Sequence, residues 1–398
     1  MLSRVELIRS YLFVALGFLI PFSTAGISIL SAFIVLLWVL DRNYAKKIEM
    51  HSDNPVYLAF FAFFILHLVG LLWTEQPING FKNWLVFLVP LLATAVPREY
   101  AMKGVYAFVT GMMVSEAYVY FGIFQNWETW LSGAYAIKYL GPDHISYNPM
   151  LAMSVAVILT TLLAGCYQGW KKWLTIFFFL TMTANMFMTG GRAGQVGFIF
   201  IWIVLSVYFL YRRPVALAGM LASLVLVLAL AFNYSPIFNQ RANQAVDQFV
   251  AYDSQSVSNG DPIGIRLAFA EHSFKLFSEE PWVGHGTGSF ENAYKDYWER
   301  GGVPLEPTSN PHNNHLLILV QFGLVGFFFY SAIFLAQLIQ FNKMPDKYEF
   351  KAVAFVLPLF FILISMYDSY LWGHHTQAMF AYFSSILYRE DVFRSDVA

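Results

Sequence analysis

Charge is what this chain has least of. Only 12% of its 398 residues are Asp, Glu, Lys or Arg, and 58% are hydrophobic, where a water-soluble domain carries roughly 25% charged residues. So few charges cannot cover a water-facing surface, which excludes a soluble globular protein. The same composition suits lipid, where apolar side chains face the solvent they prefer. Cysteine is nearly absent: Cys166 is the single one. That excludes an intramolecular disulfide, and its apolar neighbours read as the surroundings of a buried, inert thiol. The net charge of −1 provides no global field to attract nucleic acid or steer a ligand. Internal repeats and low-complexity tracts are lacking too.

What is abundant is apolar and aromatic: 40 Phe, 23 Tyr and 11 Trp. A spanning helix needs about 20 mainly apolar residues, fewer when the flanks snorkel. Twelve runs qualify, centred on residues 10–23, 26–41, 55–73, 82–96, 103–124, 147–166, 172–188, 195–211, 214–232, 313–340, 352–367 and 374–388. The first, behind Arg4 and Arg9, could pass for a secretory signal. A second apolar run follows almost at once, so the pair reads as a retained helical hairpin. The fold class predicted is an all-α integral membrane protein with about twelve transmembrane helices.

Twelve spans put both termini on one side. The termini and alternate turns hold 16 of the 24 basic residues, among them Arg9, Lys47, Lys171, Lys172, Arg212, Arg213, Lys351 and Arg389. The other eight are Lys82, Lys138, Arg192, Arg241, Arg266, Lys275, Lys295 and Arg300, and five of these lie in one long segment that a charge count discounts. Short loops therefore divide 16 to 3, which puts the termini in the cytoplasm. The expected domains are residues 1–232 with nine spans, an extracytoplasmic segment 233–311, and residues 312–398 with three spans and a cytoplasmic tail. The long segment is patterned for short helices over Arg241–Tyr252, Ile265–Glu279 and Phe290–Arg300. Turn signals separate them at Asn259-Gly260-Asp261-Pro262 and Gly284-His285-Gly286-Thr287-Gly288. Phe249, Phe269, Phe274, Phe277, Trp282, Phe290 and Trp298 suggest a folded cap on the bundle.

Three features on that side carry chemical potential. Arg192 sits in the turn Thr189-Gly190-Gly191-Arg192-Ala193-Gly194, on the side that disfavours basic residues. It is either a snorkelling interfacial arginine or an anion ligand, with glycines that let a phosphate approach the backbone. Arg266, on a helix over Ile265–Glu279, falls on the apolar side among Phe269, Ala270 and Phe277, where a charge is costly unless paired. Its partner is an acid such as Glu280 or the anion of a ligand. In Asn310-Pro311-His312-Asn313-Asn314-His315, Asn310 suits an N-cap and Pro311 the first helical position. That would set His312 in the first turn of a membrane helix, whose positive end disfavours imidazolium and favours a neutral general base or a nearby phosphate. His315 follows on roughly the same face. An interfacial hydrogen bond is the plain alternative for either histidine. A metal pair lacks a third ligand nearby in sequence. Lys82 is a weaker phosphate contact, or a snorkelling lysine. Gly323 and Gly326 suggest close helix packing.

These motifs resemble a family. His312-Asn313, nine residues, Gly323, two residues, Gly326 is similar to the His-[Asn/Ser/Gln]-x9-Gly-x-x-Gly pattern of bacterial O-antigen ligases. Their superfamily includes O-antigen polymerases and pilin O-oligosaccharyltransferases. The Thr-Gly-Gly-Arg-Ala-Gly turn, the run Glu280–Phe290 behind Arg266, and a long loop between the ninth and tenth spans resemble it as well. The likeness covers roughly residues 55–390.

The resemblance implies a GT-C-like membrane fold in the bacterial inner membrane with a periplasmic active site. It implies metal-independent, cofactor-free transfer of a polysaccharide from undecaprenyl diphosphate to a sugar hydroxyl of lipid A–core. His312 would be the general base, with His315 and Asn313 as secondary candidates, and Arg192 and Arg266 would hold the diphosphate. Forked arginine hydrogen bonds suit that task without a metal. A polymerase or a protein O-oligosaccharyltransferase remains open within the superfamily. A transporter or flippase is the alternative of another class, against which stand the unlike halves of the chain and charges gathered at one face.

Overall fold

Prolines and short polar residues mark where helices start. Ser3 opens the first with a capping box to Glu6. Asn54 accepts from the Val56 amide ahead of Pro55, and Asp143 accepts from the Ser146 amide. Each cap satisfies an amide that has no partner inside its helix. The computed structural model describes residues 3–49, 52–74, 77–250, 262–301 and 306–393, and the regular structure among them is helical throughout.

The main helices are α1 (Arg4–Leu19), α2 (Thr24–Leu40), α3 (Pro55–Val69), α4 (Arg98–Gln125), α5 (His144–Leu163), α6 (Gly169–Met188) and α7 (Arg192–Leu210). They continue as α8 (Pro214–Tyr234), α9 (Pro236–Val250), α10 (Pro262–Glu279), α11 (Phe290–Glu299), α12 (Asn314–Asn342), α13 (Lys351–Ile364) and α14 (His374–Leu387). Each predicted apolar run contains helix. The fourth is no single rod: it is a 3-10 turn over Pro77–Asn83 and two short helices, Trp84–Phe87 and Val89–Ala93, because Pro90 has no amide to continue the ladder.

Among the described residues, six helices are long and apolar enough to cross a membrane: Pro55–Leu72, α4, α5, α7, α8 and α12. Helix α2, Gly80–Ala93 and α13 are shorter and apolar. This is the architecture of an integral membrane protein. Helix α5 lies at its centre, with 83% of its apolar stretch buried against 11% for α8. Such a helix packs on all sides.

The turns gather at two ends. One end holds buried basic groups. Asp41 accepts from Arg9 and Lys47, each at 3.1 Å, and Arg389 donates to the Val96 carbonyl at 2.7 Å. Cys166 lies here and is exposed, contrary to the expected burial. Gly165, at φ 70°, ends α5 one residue earlier and puts the thiol in the turn.

The other end carries α9, α10 and α11, close to the predicted helices. The first two start earlier than expected, at Pro236 and Pro262, where proline suits a helix start. Tyr252 and the Asn259-Gly260-Asp261 turn lie outside the described residues, as does the Phe249 side chain. Ala268, Phe269, Leu276, Phe290, Ala293 and Tyr294 form an apolar cluster with Leu317 and Val320 of α12. Phe274, Trp282 and Trp298 are exposed.

Helix α12 is broken at Gly323 (φ 60°, ψ −156°). The loop after α10 threads this break. Leu324 and Val325 amides donate to the Pro281 and Trp282 carbonyls at 2.8 and 3.1 Å. His285 and Gly286 amides donate to Val320 and Gln321 carbonyls at 3.0 and 2.8 Å. The freed backbone groups are thus satisfied within the protein, the condition for broken helices at membrane depth. A Cβ on Gly323 would lie 2.4 Å from the Trp282 carbonyl carbon. Its role is therefore this break rather than the expected helix-on-helix packing.

Candidate functional site

Helix α12 begins at Asn314, and its cap is Asn313, whose side chain accepts from the His315 and Leu316 amides. Asn310 is not the N-cap predicted from sequence. Its Oδ1 accepts from the His312 amide at 2.9 Å and from Ser369 Oγ at 2.7 Å. His312 thus precedes the helix, with φ 52°. A non-glycine residue in the left-handed region costs free energy and is held there by its surroundings.

Its ring is held as well. His312 Nδ1 lies 3.1 and 3.2 Å from the two carboxylate oxygens of Asp368, and the ring lies 15° from parallel with Phe269. With Nδ1 occupied, Nε2 is the nitrogen left for a substrate.

Asp368 sits in the loop between α13 and α14. The Ser369 amide donates to it at 2.7 Å, and Arg266 Nη2 lies 3.9 Å away. Burial pushes this carboxyl up. His312, the Ser369 amide and Arg266 outweigh that and hold it below the usual carboxylate range.

Arg266 also donates to the Pro262 carbonyl at 2.9 Å. Its side chain is 37% exposed, not packed on an apolar face, and its acid is Asp368; Glu280 is exposed. Arg192 opens α7 across from it. Arg192, Arg266, His312, Asn313 and Asp368 line one cleft of about 800 Å³, so the three primary candidates from sequence come together.

The secondary candidates divide. Asn313 is the helix cap at the cleft. His315 Nε2 lies 3.0 Å from the Ile362 carbonyl, with the ring against Tyr330, and is not in the lining. The expectation that it shares a working face with His312 fails because the cap at Asn313 separates the two. Lys82 lies over the Trp372 ring at 4.3 Å, also outside the lining.

Sequence reasoning missed Asp368, Arg241 and His144, which line the cleft too. A signal for Asp368 existed: it is the one charged residue between Lys351 and Arg389, and a lone acid in so apolar a stretch needs a partner. Below the arginines the wall turns apolar, with Val196 and Ile199 of α7 and Phe238 of α9. Among the described residues no group of three or more His, Cys, Asp or Glu is placed to hold a metal ion.

No curated protein matches the chain. A family model described as O-antigen ligase matches residues 177–331. That span runs from within α6 to within α12 and contains Arg192, Arg241, Arg266 and His312. The match covers 155 of the 398 residues, so over that span, which holds most of the cleft's charged groups, the chain is similar to the O-antigen ligase family.

Proposed function

We propose that this protein transfers an O-antigen polysaccharide from undecaprenyl diphosphate to a sugar hydroxyl of lipid A–core. The observation that carries this reading is the cleft itself, where a carboxylate-held histidine faces arginines at the end opposite the basic turns. In this reading twelve segments cross the inner membrane, both termini are cytoplasmic, and residues 233–311 form a periplasmic cap on a GT-C-like bundle. The apolar wall at Val196 and Ile199 suits the first units of a lipid tail, and the arginines its diphosphate.

The reaction needs one proton acceptor and charge on the leaving group. His312 Nε2 takes the proton of the acceptor hydroxyl as that oxygen bonds to the anomeric carbon. The bond from that carbon to the diphosphate oxygen breaks, and the diphosphate leaves with the electron pair. Asp368 holds the ring tautomer and stabilises the imidazolium that forms. Counting arginines and carboxylate alone, Arg192, Arg241, Arg266 and Asp368 leave a net charge of +2, which matches the two negative charges of a diphosphate diester. As the leaving group gains a third, His312 gains a positive charge beside it. Fixed guanidinium forks stabilise such growing charge without reorganising.

The test is reconstitution of the purified protein with lipid-linked polysaccharide and lipid A–core, with and without chelator. Polysaccharide joined to lipid A–core under both conditions supports the reading. Longer lipid-linked chains, with lipid A–core unmodified, indicate a polymerase built on the same site.

A further inference from the structure

The turn that carries Arg192 is shaped by a residue of another helix. Asn148, in the second turn of α5, is wholly buried. Its Oδ1 lies 3.0 Å from Thr189 Oγ1, whose single proton is shared between that oxygen and the Asn185 carbonyl at 2.8 Å. Thr189 is wholly buried too. Gly191 and Gly194, on either side of Arg192, leave the room that this contact needs. A Cβ on Gly191 would lie 2.7 Å from Asn148 Cγ and Nδ2, and one on Gly194 would lie 2.4 Å from Asn148 Cβ. Real Cβ atoms do not approach so closely, so any side chain at either place would push α7 away from α5. Gln195 closes the turn from its other side, donating to the Met186 and Thr189 carbonyls at 3.1 Å each.

A buried amide at a helix interface costs free energy unless it bonds, and a Leu or Ala would pack there more cheaply. Asn148 does something that an apolar residue cannot. It bonds the last residue before the glycines and occupies the space between them, so it sets where α7 starts and where its first side chain points. Ser or Thr would be too short to reach both.

We infer that Asn148, through Thr189, is a positioning residue for Arg192 and so tunes affinity for the diphosphate donor. The inference rests on the proposed role of Arg192 as a diphosphate ligand. It places donor recognition under the control of α5, the most enclosed of the six long apolar helices among the described residues.

The experiment is a double-mutant cycle read as KM for the lipid-linked donor and as kcat, at matched folded protein. Asn148→Ala and Thr189→Val should each raise donor KM about tenfold with kcat within about twofold, the pattern of lost ground-state binding. Thr189→Ser, which keeps the hydroxyl, should stay within about twofold of wild type. In an Arg192→Ala background, Asn148→Ala should add less than about twofold, because residues acting through one contact are not additive. A tenfold effect repeated in that background overturns the positioning role, as does Thr189→Val equal to wild type. If Arg192→Ala itself leaves donor KM unchanged, the diphosphate role of Arg192 falls and the inference falls with it. Thr189→Val is close to isosteric, so it keeps the test decisive should Asn148→Ala unfold.

Discussion

Asp368, in the loop between α13 and α14, holds His312, just ahead of α12, by its Nδ1 at 3.1 Å, although the two residues lie 56 positions apart in sequence. Substituting either partner should separate orientation from proton transfer. Asp368→Asn keeps the shape of the side chain and loses the charge that stabilises imidazolium, so transfer should fall by about 100-fold or more. His312→Ala should fall at least as far, and the double variant no further than His312→Ala alone. Single-turnover rates with membrane-inserted protein at matched level check this; multiplicative losses would refute a shared role.

The pH behaviour of Asp368 has a definite sign. An unfolded aspartate titrates near pH ~3.9, and in the fold this carboxyl lies lower. A depressed carboxylate contributes stability that is complete above the unfolded value and is lost as pH falls through the folded one. Asp368 should therefore stay ionised from pH ~8 down to ~4. Carboxyl titration of isotope-labelled aspartate, assigned by comparison with Asp368→Asn, reads it directly. A signal that titrates above pH ~5 would contradict the arrangement.

Arg241 was not expected from the sequence, yet it lines the same cleft as Arg192 and Arg266. Arg241→Ala should weaken binding of undecaprenyl diphosphate by about three- to tenfold, less than Arg266→Ala, because its side chain is the more exposed and exposed charge pairs are screened. Titration of lipid diphosphate against purified protein at two salt concentrations gives the comparison. Equal affinity of wild type and Arg241→Ala would remove it from the site.

Lys82 and His315 serve as the contrasting pair. Lys82→Met should leave transfer within about twofold, since its ammonium sits on Trp372 outside the cleft lining and a cation–π contact is worth about 0.5–1 kcal/mol at an exposed site. His315→Gln keeps a hydrogen-bonding side chain toward the Ile362 carbonyl and should retain most activity. Loss of transfer in His315→Gln comparable to that in His312→Ala would reassign the base.

Gly323 should be intolerant where other glycines are not. Its backbone lies where only glycine is comfortable, and a Cβ would meet the Trp282 backbone. Gly323→Ala should cost at least about 1–3 kcal/mol, the strain of such a conformation, and lower the thermal midpoint of the detergent-solubilised protein. Gly219, in α8, has nothing within 4 Å of an added Cβ, so Gly219→Ala should leave the midpoint unchanged or raise it slightly.

Much of the site was legible because chemistry against a lipid background is sparse. Arg192, Arg266 and His312 stood out as polar groups beside apolar runs, and all three line the cleft. The errors share a cause. Placing Asn310 at the helix start followed from local capping preference, but Asn310 is engaged by Ser369 of a distant loop, which leaves Asn313 to cap. Setting Arg266 on an apolar face followed from an isolated helix wheel, before the α13–α14 loop brought Asp368 to it. Gly323 and Gly326 suggested packing because a break in a helix has the same small-residue signature as a close contact.

Composition and local pattern were enough to place the chain in a membrane, to mark most of its helices, and to single out the few polar residues that could act there. Each segment carries that pattern alone. It takes the packed chain to make Asp368 the partner of His312, to set Asn148 against the turn before Arg192, and to lay the loop after α10 into the break in α12. Each of these is a contact between residues tens of positions apart, and its energy depends on a distance that no local pattern encodes.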